Sequence, residues 1–341
     1  MLQIDGKHGE GGGQILRTSV SLSAVTGKPI RIFDIRAARG NPGIRKQHLQ
    51  SILAAAKACN AECEGAQLGS SELIFHPGEI KAGHFKFDIR SAGSTTLVFQ
   101  TILPILLQAG DESTITIKGG THNPMAPSFE AIRDSFLPAI GLMAFRADIE
   151  LVRHGFYPKG GGEIKARVEP FDESNASRID LTERDGEFPV KPVVLISNLP
   201  LHIAEREREV LCRELGCAQA DVEFEMVPAP NNPGNAVSVT ARMERYSVVF
   251  TSIGERGKRA ERVAKDAASD FKAWRDSGAT VDYHLADQLL LYMALAGGGR
   301  FTTDGITEHF RTNTDIIKMF LDIQVVSEER GTGLTLVDVE R

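Results

Sequence analysis

Long apolar runs are missing from this sequence. The longest uncharged stretch, residues 91–110, is 20 residues long, only about half apolar, and contains Pro104. A membrane-spanning helix needs about 20 mostly apolar residues, so this stretch is expected to form a buried helix. No basic start followed by an apolar segment opens the chain, and a cytoplasmic location is the expectation. Cysteine is scarce. Cys59 and Cys63 form one C-x3-C pair, Cys212 and Cys217 one C-x4-C pair, and neither is followed by histidine at zinc-ligand spacing. Free thiols are therefore expected. Excess positive charge is absent as well. With 39 Lys and Arg against 45 Asp and Glu, the net charge is −6, which excludes the global footprint of a nucleic-acid binder.

What is present reads as a globular protein of 341 residues, 42% apolar and 25% charged, which argues against disorder or a coiled coil. That length allows one large or two ordinary domains. Charge is uneven locally. Residues 31–50 carry Arg31, Arg36, Arg39, Arg45, Lys46 and His48 against the single acid Asp34. Such a run is either a solvated face or a site for phosphates.

Three segments share one plan. In the first, GGGQILRTSVSLSAVTG reads as a helix, KPIRIFDIRAA as a strand, GNPG as a turn and IRKQHLQSILAAAKAC as a second helix. The second runs SAGSTTLVFQTILPILLQAG, STITIKGG, HNPM and SFEAIRDSFLPAI. The third runs HLADQLLLYMALAGGG, RFTTDGI, EHFRTN and TDIIKMFLDI. From the glycine ending the first helix to the asparagine of the turn is 14 residues (Gly27 to Asn41), 13 (Gly110 to Asn123) and 15 (Gly298 to Asn313). Glycine suits a helix C-cap and Asn-Pro a tight turn. Short alternating strands follow each second helix, so the fold class is α+β with a unit repeated three times. Residues 183–279 break the plan. They read as strand KPVVLISNLP, helix HIAEREREVLCRELG, strands DVEFEMVPA, AVSVTARME and RYSVVFTSIG, and helix ERVAKDAASDFKAWRDS, between the polar edges NASRIDLTERDGEFP and DSGATVD. This is a smaller α/β domain inserted into a larger one formed by residues 1–182 and 280–341. Its basic stretch ERGKRAER is expected to be a solvated turn and helix start.

The glycine-rich HGEGGGQILRTS is not a Walker loop, for it has no Lys-Ser/Thr pair, and its glycines do not fit a dinucleotide fingerprint. A glycine loop opening a helix still turns backbone N–H groups and the helix dipole toward an anion. In HGFYPKGGGEIK the triplet precedes a strand and reads alone as a hairpin or bulge. Among nine histidines, His309 stands out by context. It lies in TEHFRTNTD, at the loop position where the other copies carry Gly40 and His122, and an imidazole is a neutral nucleophile near pH 7. Asp287 in HLADQ could orient that imidazole, hold a divalent cation or cap a helix.

Taken together, HGEGGGQILR, RAARGNPGIRKQHL, HGFYPKGGGEI, HLADQLLLYMALAGGG and the Glu308-His309 pair resemble the RNA 3′-terminal phosphate cyclase family over nearly the whole chain. The resemblance implies a large domain of three two-helix, four-stranded units like the C-terminal domain of bacterial translation initiation factor three, with a smaller domain inserted. It implies ATP-dependent conversion of an RNA 3′-phosphate to a 2′,3′-cyclic phosphate, with ATP and RNA as partners and no membrane. His309, by match to the family motif, would carry AMP. Glu10, Gln14, Arg17, Gln100, His284, Leu285, Ala286, Asp287 and Gln288 would bind ATP. Arg36, Arg39, Gln47 and His48 would serve the RNA end and its phosphates. Glu10 and Asp287 would hold the divalent cation, Mg²⁺ or Mn²⁺. A scaffold relative would lack the histidine, and an enolpyruvyl-type transferase would need a different glycine and arginine set.

Overall fold

The computed structural model describes residues 1–184, 186–228 and 233–341. Asp185, in the first polar edge, and Ala229, at the end of the expected strand DVEFEMVPA, lie outside the described residues.

The chain begins with β1 (Leu2–Asp5), α1 (Gly13–Thr26), β2 (Ile30–Phe33), α2 (Lys46–Ala58), β3 (Glu62–Glu64) and β4 (Leu73–His76). β1 pairs parallel with β2, β2 antiparallel with β4, and β4 antiparallel with β3. Next come β5 (His84–Asp88), α3 (Thr95–Leu106), β6 (Ser113–Gly119), a π-helical turn (Ala131–Phe136) running into α4 (Leu137–Gly141), β7 (Ala147–Arg153) and β8 (Gly162–Val168). The pairing repeats itself: β5 parallel to β6, β6 antiparallel to β8, β8 antiparallel to β7.

A third sheet starts with β9 (Ile179–Leu181) and is then interrupted. The chain first builds a fourth sheet from β10 (Val190–Ser197), β11 (Glu223–Met226), β12 (Gly234–Arg242) and β13 (Ser247–Ile253), with α5 (Leu201–Leu215) and α6 (Ala260–Ser277) packed on each other. It returns through α7 (Tyr283–Leu295), β14 (Gly298–Thr303), α8 (Glu308–Phe320), β15 (Gln324–Gly331) and β16 (Leu334–Glu340). β14 joins β9 in parallel and β16 antiparallel, and β16 joins β15 antiparallel, which is the strand order of the first two sheets. The described residues thus form a mixed α+β fold of four small sheets. Entry to and exit from the interruption are pinned by one side chain: Arg184 lies 4.3 Å over the Trp274 ring and donates to the carbonyls of Trp274, Arg275 and Ala279.

α1 sits among helices, packing on α2, α3 and α8. Its residues 18–24 are all buried, and three of them are serines that let neighbouring helices come close. Ser21 Oγ donates to the Arg17 and Thr101 carbonyls, so its polarity is not wasted in the core. The uncharged stretch around Pro104 is the buried helix α3, and among the described residues no helix is long and apolar enough to cross a membrane. The four cysteines are free.

Three expectations change. EHFRTN is not a turn: Thr307 Oγ1 accepts the Phe310 N–H at 3.0 Å, which starts α8 at Glu308 and puts Asn313 in its second turn. His309 therefore stands on the first turn of a helix, not in a loop. The helix cap before HLADQ is Asp282, not Asp287, with its carboxylate receiving the His284 and Leu285 N–H groups. Finally, the first polar edge is not wholly a linker, because it contains β9, whose 3 residues are too few to show alternation.

Candidate active site

The loop of residues 7–12 connects β1 to α1 and is pressed from both sides. Gly9 adopts φ +50°, and a Cβ there would fall 2.2 Å from Thr312 Oγ1 on α8. On the other side, a Cβ on Gly13 would fall 2.4 Å from His48 Nε2 on α2. Only glycine fits such approaches. Gly12 caps α1 without a side chain, and the first turn holds no acid, so the positive end of the helix is left for an anion.

Two carboxylates converge on His309. Its Nδ1 lies 2.9 Å from Asp287 Oδ2 and its Nε2 3.8 Å from Glu10 Oε2. Asp287 is buried at 6% exposure beneath the ring, whereas the His309 side chain is 37% exposed, so Nε2 is the nitrogen that can meet a ligand. Burial alone would lower the imidazole pKa. The Asp287 hydrogen bond and the charges of Asp287 and Glu10 outweigh it, and His309 ends above the ordinary histidine value. Glu10 is itself held in place. Its N–H donates to Thr312 Oγ1 at 3.1 Å, its carbonyl accepts from Arg39 Nη2 at 2.9 Å, and Arg39 also bonds its carboxylate.

The basic residues lie on the other side of the loop. Arg17 on α1 donates to Gln14 Oε1 at 2.8 Å; burial pulls its pKa down to about 10 while Asp287 and Glu10 hold it up, so it stays charged at neutral pH. His48 is buried against Gly13. Burial first, and then Arg17, Arg36 and Arg45, push it down to about 3, so it is neutral. Its Nδ1 accepts the Arg45 N–H at 3.3 Å, which assigns the proton to Nε2. Arg36 turns into its own loop, donating to the Asn41 and Gly43 carbonyls at 2.6 and 3.1 Å. Gln47 Oε1 accepts the Ser94 N–H at 3.0 Å and so ties the starts of α2 and α3 together.

Gln100 on α3 donates to Gln288 on α7 at 3.0 Å. His284 is exposed at the start of α7. Leu285 and Ala286 are not: both are buried, and their N–H groups go to Asp282. Thr18 and Thr312 have no motif to mark them, but the i, i+4 spacing of Gln14 and Thr18 puts both on one helix face, where Thr18 accepts the Gln14 Nε2–H at 3.2 Å. Cavities of about 430 and about 680 Å³ lie elsewhere, the first between the π-helical turn and the fourth sheet, the second between α8 and β15–β16; neither is lined by the residues above. Among the described residues no group of three His, Cys, Asp or Glu is arranged to hold a metal ion.

A family model described as RNA 3′-terminal phosphate cyclase matches residues 8–326. The chain belongs to the RNA 3′-terminal phosphate cyclase family. Relatives bearing that name match the chain over nearly their whole length. One from Pseudomonas fluorescens is 43% identical over 325 residues, covering 95% of this chain and 94% of the relative. One from Koribacter versatilis is 44% identical over 332 residues (97% and 93%), and one from Ectopseudomonas mendocina 41% over 341 residues (100% and 98%). The chain is accordingly an enzyme of the RNA 3′-terminal phosphate cyclase type. The matched span takes in the glycine loop, His309 and the fourth sheet alike.

Proposed function

We propose that this enzyme uses ATP to convert an RNA 3′-phosphate into a 2′,3′-cyclic phosphate through a covalent His309-AMP. The observation that carries the proposal is the 2.9 Å contact between His309 Nδ1 and Asp287 Oδ2. It holds the Nδ1 proton and leaves the Nε2 lone pair free for attack. In the first step Nε2 bonds to the α-phosphorus of ATP and the bond to pyrophosphate breaks. The imidazole becomes cationic as it attacks, and Asp287 beneath it stabilises that charge. A terminal oxygen of the RNA 3′-phosphate then displaces the imidazole, giving RNA(3′)pp(5′)A. Last, the vicinal 2′-oxygen attacks the RNA phosphorus, AMP leaves, and the hydroxyl proton passes to solvent. That closure is intramolecular, where effective molarities can reach roughly 10⁵ M or more, so an activated leaving group is what the enzyme has to supply.

The phosphates belong at the uncapped start of α1, with Arg17 and Arg39 as charged donors. His48 and Arg36 serve the RNA end by shaping that surface: His48 as a neutral wall under Gly13, Arg36 as the brace of its loop. Gln47 holds the neighbouring helix starts together. Glu10, Gln14, His284, Gln100 and Gln288 border the nucleotide, and Leu285 and Ala286 support it from the core. A divalent cation fits two carboxylates plus substrate phosphates. Asp287 Oδ1 is buried without a partner among the described residues, and Glu10 Oε2 lies 3.8 Å from His309 Nε2, so these two carboxylates would hold it. The ion would neutralise phosphate charge there.

The same proposal covers organisation. The shared strand order of three sheets supports three copies of one unit, like the C-terminal domain of translation initiation factor three, in a catalytic domain of residues 1–182 and 280–341, with 183–279 inserted. The free thiols suit a reducing compartment, and the cytoplasm is the proposed location.

The test is incubation with Mg²⁺ and ATP labelled at the α-phosphate. Acid-labile, base-stable label is expected on the denatured wild type and not on His309→Ala. An unlabelled wild type that still binds ATP would overturn the mechanism.

A further inference from the structure

One run of hydrogen bonds leads in a single direction from Arg17 to the Asp287 main chain, behind His309. Arg17 Nη2 donates to Gln14 Oε1 at 2.8 Å, and Gln14 Nε2 donates to Thr18 Oγ1 at 3.2 Å. The Thr18 hydroxyl donates to Asn313 Oδ1 at 2.8 Å, and Asn313 Nδ2 donates to the main-chain carbonyl of Asp287 at 3.1 Å. Asp287 then meets His309 Nδ1. Each amide and hydroxyl uses its donor and its acceptor in turn, so the chain fixes the orientation of every member. Thr18 is 6% exposed and Asn313 3% exposed, too deep for either to touch a substrate.

We propose that Thr18 and Asn313 are positioning residues, which lock α1, α7 and α8 so that the phosphate grip at Arg17 and the carboxylate behind His309 keep one fixed spacing. The inference rests on His309 as the nucleophile. Its physical reason is local. α1 lies far in the sequence from α7 and α8, which only β14 separates, and apolar contacts between helices are non-directional. The Thr18–Asn313–Asp287 bonds are directional, and Thr18 and Asn313 each stand four residues along their helix from Gln14 and His309. A slide of α8 along α1 would break the Thr18 bond, and a slide along α7 would break the bond to the Asp287 carbonyl. Misplacement of about 1 Å is enough to cost a reaction roughly two orders of magnitude. Thr312, next in the chain, performs the matching task on the outer side: its hydroxyl accepts the Glu10 N–H and donates to the Glu308 carbonyl.

The experiment compares wild type, Thr18→Val, Thr18→Ser, Asn313→Leu and the Thr18→Val, Asn313→Leu double variant. Two readouts are made on each folded protein: the rate and ATP dependence of label transfer to the chain, and the nitrogen NMR signal of the His309 Nδ1–H. Thr18→Val is expected to slow label transfer at saturating ATP at least about tenfold while the ATP concentration at half rate moves about twofold or less. Thr18→Ser keeps the hydroxyl and is expected to restore the rate. The double variant is expected to be no slower than the worse single variant, since both break the same chain. The Nδ1–H signal is expected in wild type and Thr18→Ser and to broaden or vanish in Thr18→Val. Wild-type rate and an intact signal in Thr18→Val would overturn the proposal, as would losses that multiply in the double variant. If the wild type takes no label but its Nδ1–H signal still depends on the Thr18 hydroxyl, positioning stands and the adenylation mechanism falls.

Discussion

Two histidines flank the glycine loop at the start of α1, each in the first turn of its own helix, and the structure treats them in opposite ways. His48 on α2 is buried and looks toward Arg17, Arg36 and Arg45. His309 on α8 looks toward Asp287 and Glu10. Burial pushes both imidazoles toward the neutral form, and helix N-termini do the same. Neighbouring charge decides the outcome. With arginines added to burial, His48 becomes a neutral ring packed under Gly13; with carboxylates opposing it, His309 becomes more basic than a free histidine. A histidine's role here is thus set by which charges the fold brings from other segments, not by its place on a helix.

The sharpest way to break that contrast is to remove the charge behind His309. Asp287→Asn keeps the shape but loses the countercharge and can hold the wrong tautomer, so label transfer to the protein is expected to fall about 10³-fold. Rapid-quench labelling checks it; a loss under tenfold would mean that Asp287 does not orient the nucleophile. On the other side of the loop, Gly13→Ala drives a methyl 2.4 Å from His48 Nε2 and 2.9 Å from Arg17 Nη1. Such overpacking costs about 1–3 kcal/mol, and because Arg17 must move, ATP binding is expected to weaken as well. Urea unfolding and ATP titration of the variant measure the two effects; a fully stable variant with unchanged ATP binding would show that the loop yields freely.

How much of this was legible in the sequence differs between regions. The fourth sheet and its two helices, β10 through α6, appear in the order read from alternation and helical period, because most are long enough to display their period and the 4-residue β11 sits within the alternating Val222, Phe224 and Met226. The opening strands β1, β5 and β9 run 4, 5 and 3 residues and escaped, since their pairing is set by distant partners. At the site, His309 and Asp287 were singled out by local context and the glycine loop by its anion-friendly start. Their spacing was not readable: residues 10, 287 and 309 meet only because the loop before α1 packs on α8 and α8 packs on α7. Asn313 was misplaced for a related reason. Its spacing from a glycine mimicked a turn, whereas the Thr307 cap started a helix ahead of it.

The contrast between the histidines also predicts a pH response of stability. His48 is held near 3 in the fold, against about 6.5 when unfolded. The unfolded chain therefore binds the extra proton in that window, and stability is lost as pH falls below about 6.5, by up to roughly 1.4 kcal/mol per pH unit. Urea midpoints between pH 7.5 and 4.5 should fall less steeply in His48→Gln than in wild type. Equal slopes would mean that His48 is protonated in the fold after all.

Glu207 on α5 shows what burial does when almost no charge opposes it. It is fully buried, accepts from Asn235 Nδ2 at 2.9 Å, and is pushed up to about 7, chiefly by burial, with Asn235 and Arg206 pulling the other way. Here the folded pKa is raised for an acid, so the folded chain binds the extra proton and stability falls as pH rises from about 4.5 to about 7. Glu207→Gln removes the ionisation and keeps an amide of similar size, and it is expected to stabilise the protein at pH 8 by about 1 kcal/mol while changing little at pH 5. Thermal melts at the two pH values read this directly. A variant less stable than wild type at pH 8 would mean that the Glu207 carboxylate is stabilised in its charged form by the Asn235 amide, and that burial is not the controlling influence at that position.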